Sequence, residues 1–423
     1  MRSTLLSASA IALLIASGAL AQDTTTQKTT VIPATSSETP AMDGADPTAK
    51  EAMPSDAVPM EADSDAAEMD AKDGDADEAM GDVPEEVSTE VAGSMDSGTL
   101  DRADPEMAQV IEKLMALGAK PVHTLDVPTA RTQPTPADAV KAVYLKTTGN
   151  QPFPEPVGKT EDIRIDGAAG ELDARVYWPE GMADGEDLPV IVYFHGGGWV
   201  IANLNVYDAS ARALSNQANA LVVSVHYRQG PEDKFPAAHD DAVAAYSYIV
   251  ENAQQWGGDA ERLAIAGESA GGNLAINVAI AARDQELTEP DAVLAVYPLA
   301  GSDLNTPSYI ANQNAVPLGK ADIEWFVGHY LNSMDEAKDP RIDIVGGADL
   351  ADLPPVTIIA AEIDPLNSEG MTLHDKLEEA GNDVTYQNWN GVTHEFFGMA
   401  AVVPDAKEAQ DLAGTKLTEA FGE

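Results

Sequence analysis

The sequence of 423 residues predicts an α/β protein with a mostly parallel central sheet and helices on both faces. Two observations predict this class. From about residue 188 onward, short apolar runs alternate with longer segments of helical periodicity, which is typical of parallel strands joined by helices. The runs are also continuously apolar, as expected for strands that are buried on both faces. In such a sheet, ligands bind at the carboxyl ends of the strands.

The first residues are typical of an export signal. Arg2 is followed by an apolar run from Leu5 to Leu20, and small residues precede a cleavage site after Ala21. The alternative is a membrane anchor, but the run is short of the roughly 20 apolar residues that a span needs. No later stretch is long and apolar enough to span a membrane. We therefore expect a signal peptide over 1–21 and a periplasmic or secreted bacterial protein.

Residues 22–100 differ in composition from the rest of the chain. Thr, Ala, Pro, Met and acidic residues dominate, and 20 Asp and Glu face three Lys, a net charge of −17. Low hydrophobicity with high like charge predicts a disordered segment. A solvated spacer and an acidic interaction or calcium-associating tail are the two interpretations. The spacer is favoured because no calcium-loop spacing is present.

Charge and cysteine content narrow the functional classes. Subtracting the acidic segment and Arg2 from the total of −47 leaves −31 for residues 101–423. Such a charge argues against nucleic acid or an anionic membrane surface as a partner, and it predicts that anionic substrates are disfavoured. The absence of cysteine excludes disulfides, thiol catalysis and cysteine–metal sites.

Two helices precede the first predicted strand. The spacing of apolar residues predicts helices over 105–117 and 136–146, with Asp104 and Thr135 as N-caps. They either pack on the sheet or form a cap over a site. The folded domain, 101–423, then continues with a hairpin and an alternation of strands and helices. We predict strands at 161–166, 174–178, 188–194, 221–225, 262–266, 292–297, 356–361 and 383–389, and helices at 208–219, 236–255, 270–283, 368–380 and 403–420.

The segment from Gly267 to Asn273 carries the clearest catalytic motif. It reads Gly-Glu-Ser-Ala-Gly-Gly-Asn and lies between a predicted strand and a predicted helix, the context in which G-x-S-x-G indicates a nucleophile elbow. Gly267 and Gly271 are needed because larger side chains would collide in so sharp a turn. Ser269 is therefore the candidate nucleophile.

A serine nucleophile needs a base, and a third group orients that base. His394 follows the last predicted strand and is the candidate base, and Asp364 follows the preceding strand and is the candidate acid. Asp303 is the rival acid. The remaining histidines lack such a context: His226 closes a strand, and the others lie in predicted helices or in unassigned segments at positions 123, 239, 329 and 374.

The run His195-Gly196-Gly197-Gly198 ends another predicted strand. Its main-chain N–H groups can approach a substrate oxygen, so Gly196 and Gly197, with Ala270, are the candidate oxyanion hole. The alternative is a phosphate-binding turn, which the absence of a following Lys-Ser/Thr argues against.

Five motifs in this order resemble the bacterial hormone-sensitive-lipase-like (family IV) esterases, the fold-3 group of α/β-hydrolases. They are His195–Trp199, Tyr227–Ala238, Gly267–Asn273, Asp364–Leu366 and His394–Phe396. The resemblance implies an α/β-hydrolase fold with an N-terminal helical cap at about 105–160. It also implies hydrolysis of short-chain carboxylic esters without metal or cofactor, with Ser269, His394 and Asp364 as a triad.

The sequence predicts an exported serine carboxylesterase that acts on a small-molecule ester. Two alternatives stay open: the same machinery acting on acetylated sugars, polymers or amides, and a catalytically silent binding protein. Acyl preference and oligomeric state are not predicted. Four aromatic residues are candidate pocket walls, although each fits a core position equally well: Trp199, Trp325, Phe326 and Tyr330.

Overall fold

The computed structural model describes residues 98–182 and 187–422. The predicted signal peptide and nearly all of the acidic segment lie outside the described residues, and only 98–100 of that segment lead into the first helix. One eight-stranded sheet organises the described chain, in the order β1-β2-β4-β3-β5-β6-β7-β8. Its strands are β1 (Lys159–Gly167), β2 (Gly170–Trp178), β3 (Leu188–Phe194), β4 (Leu221–His226), β5 (Gly258–Glu268), β6 (Ala292–Val296), β7 (Val356–Ile363) and β8 (Val384–Thr393).

The sheet is mostly parallel, as the sequence predicts. Only the β1–β2 hairpin and the β2–β4 pair are antiparallel. The central strand β3 is buried along its whole length. Strand β5 begins four residues earlier than predicted because Gly258 and Asp259 pair with Leu188 and Pro189 across a register shift. That pairing is a long-range contact, so the local pattern does not reveal it.

Helices cover both faces of the sheet. They are α1 (Thr99–Arg102), α2 (Pro105–Ala116), α3 (Val127–Ala130), α4 (Pro136–Thr148), α5 (Asp208–Gln217), α6 (Ala237–Asn252), α7 (Ala270–Asp284), α8 (Pro307–Ala311), α9 (Lys320–Tyr330), α10 (Ile344–Gly347), α11 (Asn367–Glu379) and α12 (Pro404–Ala420). Successive β3 side chains alternate between two cores: Val190 and Val192 join α6 and α7, whereas Ile191 and Tyr193 join α5 and α12. The predicted α/β-hydrolase architecture is confirmed.

The N-terminal helices α2 and α4 pack on one another beside the site. Thr135 caps α4 in a reciprocal capping box with Asp138. The expected side-chain cap at Asp104 is absent, because its carboxylate makes no hydrogen bond to α2. Its backbone N–H instead donates to Gly391 O at 2.8 Å, which attaches the start of α2 to the last residues of β8, just before His394. In the described ranges, no helix has the length and apolar character of a membrane span.

Candidate active site

The turn between β5 and α7 holds Ser269 in a strained conformation. Its φ of 57° and ψ of −119° lie where a non-glycine residue costs roughly 1–3 kcal/mol. The Ser269 N–H donates to Val296 O at 2.9 Å, which helps to hold the turn. A Cβ on Gly267 would lie 2.1 Å from Gly271 O, and one on Gly271 would lie 2.0 Å from Phe194 O. Both glycines are required by close backbone contacts, as the motif predicts.

Asp364 and His394 meet at the ends of β7 and β8. The carboxylate Oδ2 lies 2.7 Å from His394 Nδ1, and both side chains are buried. The second oxygen accepts a hydrogen bond from Leu366 N at 2.8 Å, which fixes the carboxylate. Nδ1 is thereby occupied, so Nε2 is the ring nitrogen available to a nucleophile. The rival Asp303 lies on an exposed turn, where it accepts a hydrogen bond from Asn305 N.

The electrostatic environment favours a basic imidazole. Burial lowers the pKa of His394, but the charge and hydrogen bond of Asp364 outweigh it, and the pKa lies above the ordinary value of histidine. Ser269 and His394 line the same cavity. Within the described part of the chain, no hydrogen bond joins Ser269 Oγ to His394. Such contacts commonly tighten only when substrate binds.

The glycine run after β3 presents free backbone donors. Across residues 187–422, the N–H groups of Gly196, Gly197 and Ala270 have no protein acceptor. Gly197 and Ala270 line the cavity with Ser269, whereas Gly196 is not among the lining residues. Gly197 and Gly198 have φ values of +99° and +59°. A Cβ on Gly198 would lie 2.3 Å from the Phe326 ring. Glycine is therefore needed for both conformation and space.

A buried histidine, His195, is hydrogen-bonded to the glycine run. Burial, followed by the charge of His226, lowers the pKa of His195 to about 3, so the ring is neutral. Its Nδ1 donates to Gly196 O at 2.7 Å, which leaves Nε2 to accept from His226 Nδ1 at 3.0 Å. Tyr227 stacks on the ring and donates to His195 O at 2.8 Å. His226, at the end of β4, thus helps to hold His195 in place.

The cavity above Ser269 has a volume of about 990 Å³. Its far wall consists of residues 119–136 from the N-terminal region and 313–326 from the insertion after β6, which we call the cap wall. Of the four candidate aromatic walls, only Phe326 lines the cavity. Trp199 and Tyr330 stack on each other in the core at 4.8 Å between ring centroids. The N-terminal part of this wall is mainly the connection between α2 and α4, and the assignment of 105–160 as a helical cap stays a prediction.

Two polar features of the site had no signal in the sequence. His123 Nδ1 lies 2.7 Å from Asp322 Oδ1 and joins the two halves of the cap wall. Below the site, the buried Glu369 carboxylate accepts hydrogen bonds from the N–H groups of Ala300 and Gly301, and burial raises its pKa to about 8. Both contacts join residues far apart in the chain, so no local pattern indicates them.

The fold and the cavity together define an α/β-hydrolase. A family model described as alpha/beta hydrolase fold matches residues 191–398. The esterase LipI of Mycobacterium tuberculosis is 38% identical over 275 residues, which cover 64% of this chain and 86% of that protein. An ethyl acetate hydrolase of Pseudomonas putida is 31% identical over 310 residues, covering 72% and 95%.

Solved structures agree with these relatives. An ester hydrolase from the metagenome of Lake Arreo, complexed with a derivative of bipyridine phosphonate, superposes with a TM-score of 0.67 and 34% identity. The match covers 76% of this chain and all of that one. The chain belongs to the hormone-sensitive-lipase-like esterases of the α/β-hydrolase family, which are carboxylic ester hydrolases. The predicted family, fold and enzyme class are confirmed.

Proposed function

We propose that this protein is an exported serine carboxylesterase that hydrolyses short-chain esters through an acyl-enzyme on Ser269. The observation that carries the proposal is the buried Asp364–His394 hydrogen bond at the cavity that Ser269 lines. Ser269 stands in the strained turn typical of a nucleophile elbow. A charge-stabilised imidazole beside this serine is the arrangement that acyl transfer requires.

The chemistry follows from these positions. Ser269 Oγ attacks the ester carbonyl while His394 Nε2 takes its proton, and Asp364 stabilises the imidazolium. The N–H groups of Gly197 and Ala270, assisted by Gly196, donate to the developing oxyanion, with a typical effect on the order of 10²–10³ in rate for each donor. The imidazolium protonates the departing alkoxide. Water then attacks the acyl-enzyme with His394 again as base, which releases the acid and restores Ser269.

The substrate class rests on the cavity and the relatives. Apolar side chains dominate the lining near Ser269, among them Leu299 and Phe326, and an acyl chain needs no polar partner there. The name of the Pseudomonas putida relative, ethyl acetate hydrolase, specifies an acetate ester. We extend a short-acyl preference to this chain. Export rests on the N-terminal sequence, and N-terminal sequencing of the mature protein should begin at Gln22.

The test compares two serine variants on one substrate. We expect Ser269→Ala to lose p-nitrophenyl butyrate hydrolysis to near the uncatalysed rate, with circular dichroism unchanged. Ser247→Ala is the matched control, because its hydroxyl only donates to Val243 O within α6, and it should retain full activity. Equal activity of the two variants would exclude Ser269 as nucleophile. A chain-length series from acetate to decanoate should peak at short acyl groups.

A second candidate keeps the chemistry and changes the substrate. The far end of the cavity carries the polar residues Lys120, His123 and Gln133, which can bind a hydroxyl-rich leaving group. This favours deacetylation of sugar or polymer esters, and the same machinery could cleave an amide. Rates on acetylated xylan and on a butyryl anilide, relative to p-nitrophenyl butyrate, separate the candidates. A silent binding protein would show no turnover with any of them.

A further inference from the structure

Two glutamates flank the reactive residues and have no part in the chemistry above. Glu268 immediately precedes Ser269, and Glu395 immediately follows His394. Glu268 is buried, and Glu395 lines the same cavity as His394. Carboxylates in such positions are costly unless they are hydrogen-bonded. Their partners therefore indicate why the site retains them.

Three tyrosines are among those partners. Tyr193 donates to Glu268 Oε1 at 2.5 Å, and Tyr297 donates to the other oxygen of that carboxylate. Tyr207 donates to Glu395 Oε1 at 2.5 Å. The Tyr297 ring lies 4.5 Å from the His394 ring between centroids. These five residues form one cluster behind the site, which we call the Glu–Tyr cluster.

The cluster joins the base to the oxyanion loop. A Cβ on Gly196 would lie 2.3 Å from the Tyr207 hydroxyl oxygen, so this phenol packs directly against the glycine run. The same hydroxyl donates to Glu395, the residue after His394. One hydrogen bond therefore links the loop after β8 to the loop after β3. A change in this bond would move the oxyanion donors relative to the base.

The backbone conformation at Glu395 is unfavourable for a glutamate, so local stability does not explain why this residue is present. Its φ of 72° lies in the left-handed region, where glycine is favoured. A glutamate there is both strained and partly desolvated. A strained backbone and a partly desolvated carboxylate at one position point to a role in the site.

We propose that Glu395 is a positioning residue: through Tyr207 it fixes the oxyanion loop relative to His394, and its carboxylate supplies negative charge beside the imidazole. This role rests on the proposed function of Ser269. Two effects are separable, because the hydrogen bond to Tyr207 acts on geometry and the carboxylate charge acts on basicity.

The charges act in a defined direction. After burial, Asp364 is the main influence on the pKa of His394, and Glu395 and Glu268 raise it further. Burial raises the pKa of Glu395, and it raises the pKa of Glu268 to about 7. The ionisable groups that face His394 are Asp364, Glu268, Glu395 and Tyr297. Removing the charge of Glu395 therefore lowers the pKa of His394, and the imidazole stays neutral to lower pH.

The experiment measures kcat and KM on p-nitrophenyl butyrate from pH 5 to 9 for three variants of the full chain. In Glu395→Gln, the amide oxygen still accepts from Tyr207, so kcat at pH 8 should stay within about threefold. The acidic limb of its pH–kcat profile should move to lower pH by about half a unit to one unit. In Tyr207→Phe the carboxylate is kept and the bond is lost, so kcat at pH 8 should fall about tenfold with KM within twofold.

Glu395→Gly separates this role from a merely structural one. Glycine relieves the left-handed backbone, so the variant should be at least as stable in urea as the parent, yet it should show both the lower kcat and the shifted limb. Tyr246→Phe is the control, since it removes a tyrosine hydroxyl that donates to Thr288 O, far from the site. Parental kcat and pH profile in Glu395→Gly, or equal behaviour of the two tyrosine variants, would overturn the proposal. Activity in Ser269→Ala would instead overturn the proposed function.

Discussion

The two sides of the cavity are built differently. The site floor consists of Gly196–Gly198, Ser269, Asp364 and His394, each directly after a strand of one sheet. Its side chains are buried, and the Asp364 carboxylate is bonded through both oxygens. The two segments of the cap wall are joined by partly exposed polar contacts, such as His123 with Asp322 and Trp325 Nε1 with Leu125 O at 3.1 Å. The side chain of His123 is 38% exposed.

This difference separates chemistry from selectivity. A floor fixed by the sheet can hold reacting atoms within the small tolerance that acyl transfer needs. A wall made from two distant segments with exposed contacts can change without disturbing that geometry. Substitutions in the floor should therefore affect kcat or folding strongly, and those in the wall should affect KM and substrate choice weakly.

After Ser269→Ala, the largest effect is expected for Asp364→Asn. The amide cannot stabilise the imidazolium and favours the wrong histidine tautomer, so kcat should fall on the order of 10³–10⁴-fold with little change in KM. Initial-rate assays with p-nitrophenyl butyrate at pH 8 measure this loss in kcat. Asp303→Asn, on its exposed turn, should retain parental kcat. A large loss in Asp303→Asn with activity kept in Asp364→Asn would reverse the assignment.

Substitutions in the turn at Ser269 should also have a large effect, but on the free energy of unfolding rather than on kcat. A Cβ on Gly271 meets two backbone oxygens, at 2.0 Å from Phe194 and 2.6 Å from His195, and neither can move freely. Gly271→Ala should lower the free energy of unfolding by roughly 1–3 kcal/mol or prevent folding. Gly370→Ala in α11 is the matched control, since its Cβ meets nothing within 4 Å. That variant should gain about 0.5–1 kcal/mol in urea unfolding.

The site floor could be predicted because its signals are local. A strand, a glycine turn and a reactive residue lie within a few positions of one another, and the parallel sheet brings their ends together. The partners of the cap wall have no such signal: His123 and Asp322 are 199 residues apart and meet only in the folded chain. Glu395 illustrates the same limit, because its role depends on Tyr207, 188 residues away.

Local details differ from the prediction where tertiary contacts decide them: α2 begins at Pro105 as predicted but lacks the capping bond, and β5 begins earlier than predicted. The Asp104 position before α2 has the residue type of an N-cap, yet its backbone bonds to Gly391 and its side chain caps nothing. Strand β5 extends beyond its apolar run because its neighbour β3 supplies backbone partners. In both cases the deciding hydrogen bonds come from a distant part of the sequence.

A negative charge on the substrate should have an intermediate effect, a decrease in kcat/KM. The Glu395 carboxylate lines the cavity beside His394, and residues 101–423 carry a net −31. We expect p-nitrophenyl hemisuccinate to be cleaved with a kcat/KM about tenfold below that of a neutral ester of similar size, roughly 1.4 kcal/mol. The difference should narrow in molar NaCl, because salt screens charge. Equal rates at low salt would contradict the prediction and indicate that Lys120 or another cation neutralises the acid group.

The smallest effect is expected in the cap wall. His123→Ala removes the bond from the ring to Asp322, while the backbone N–H of residue 123 still donates to Asp322 Oδ1 at 3.1 Å. Asp322 also keeps its bond from Gly319 N at 2.9 Å, so α9 still begins normally. Because the pair is partly exposed, the loss in unfolding free energy should stay below about 1 kcal/mol. We expect kcat within twofold, KM raised by a few-fold, and a higher ratio of hexanoate to butyrate hydrolysis as the wall loosens. A tenfold loss of kcat with unchanged KM would place His123 with the floor, and the separation of chemistry from selectivity would then fail at this residue.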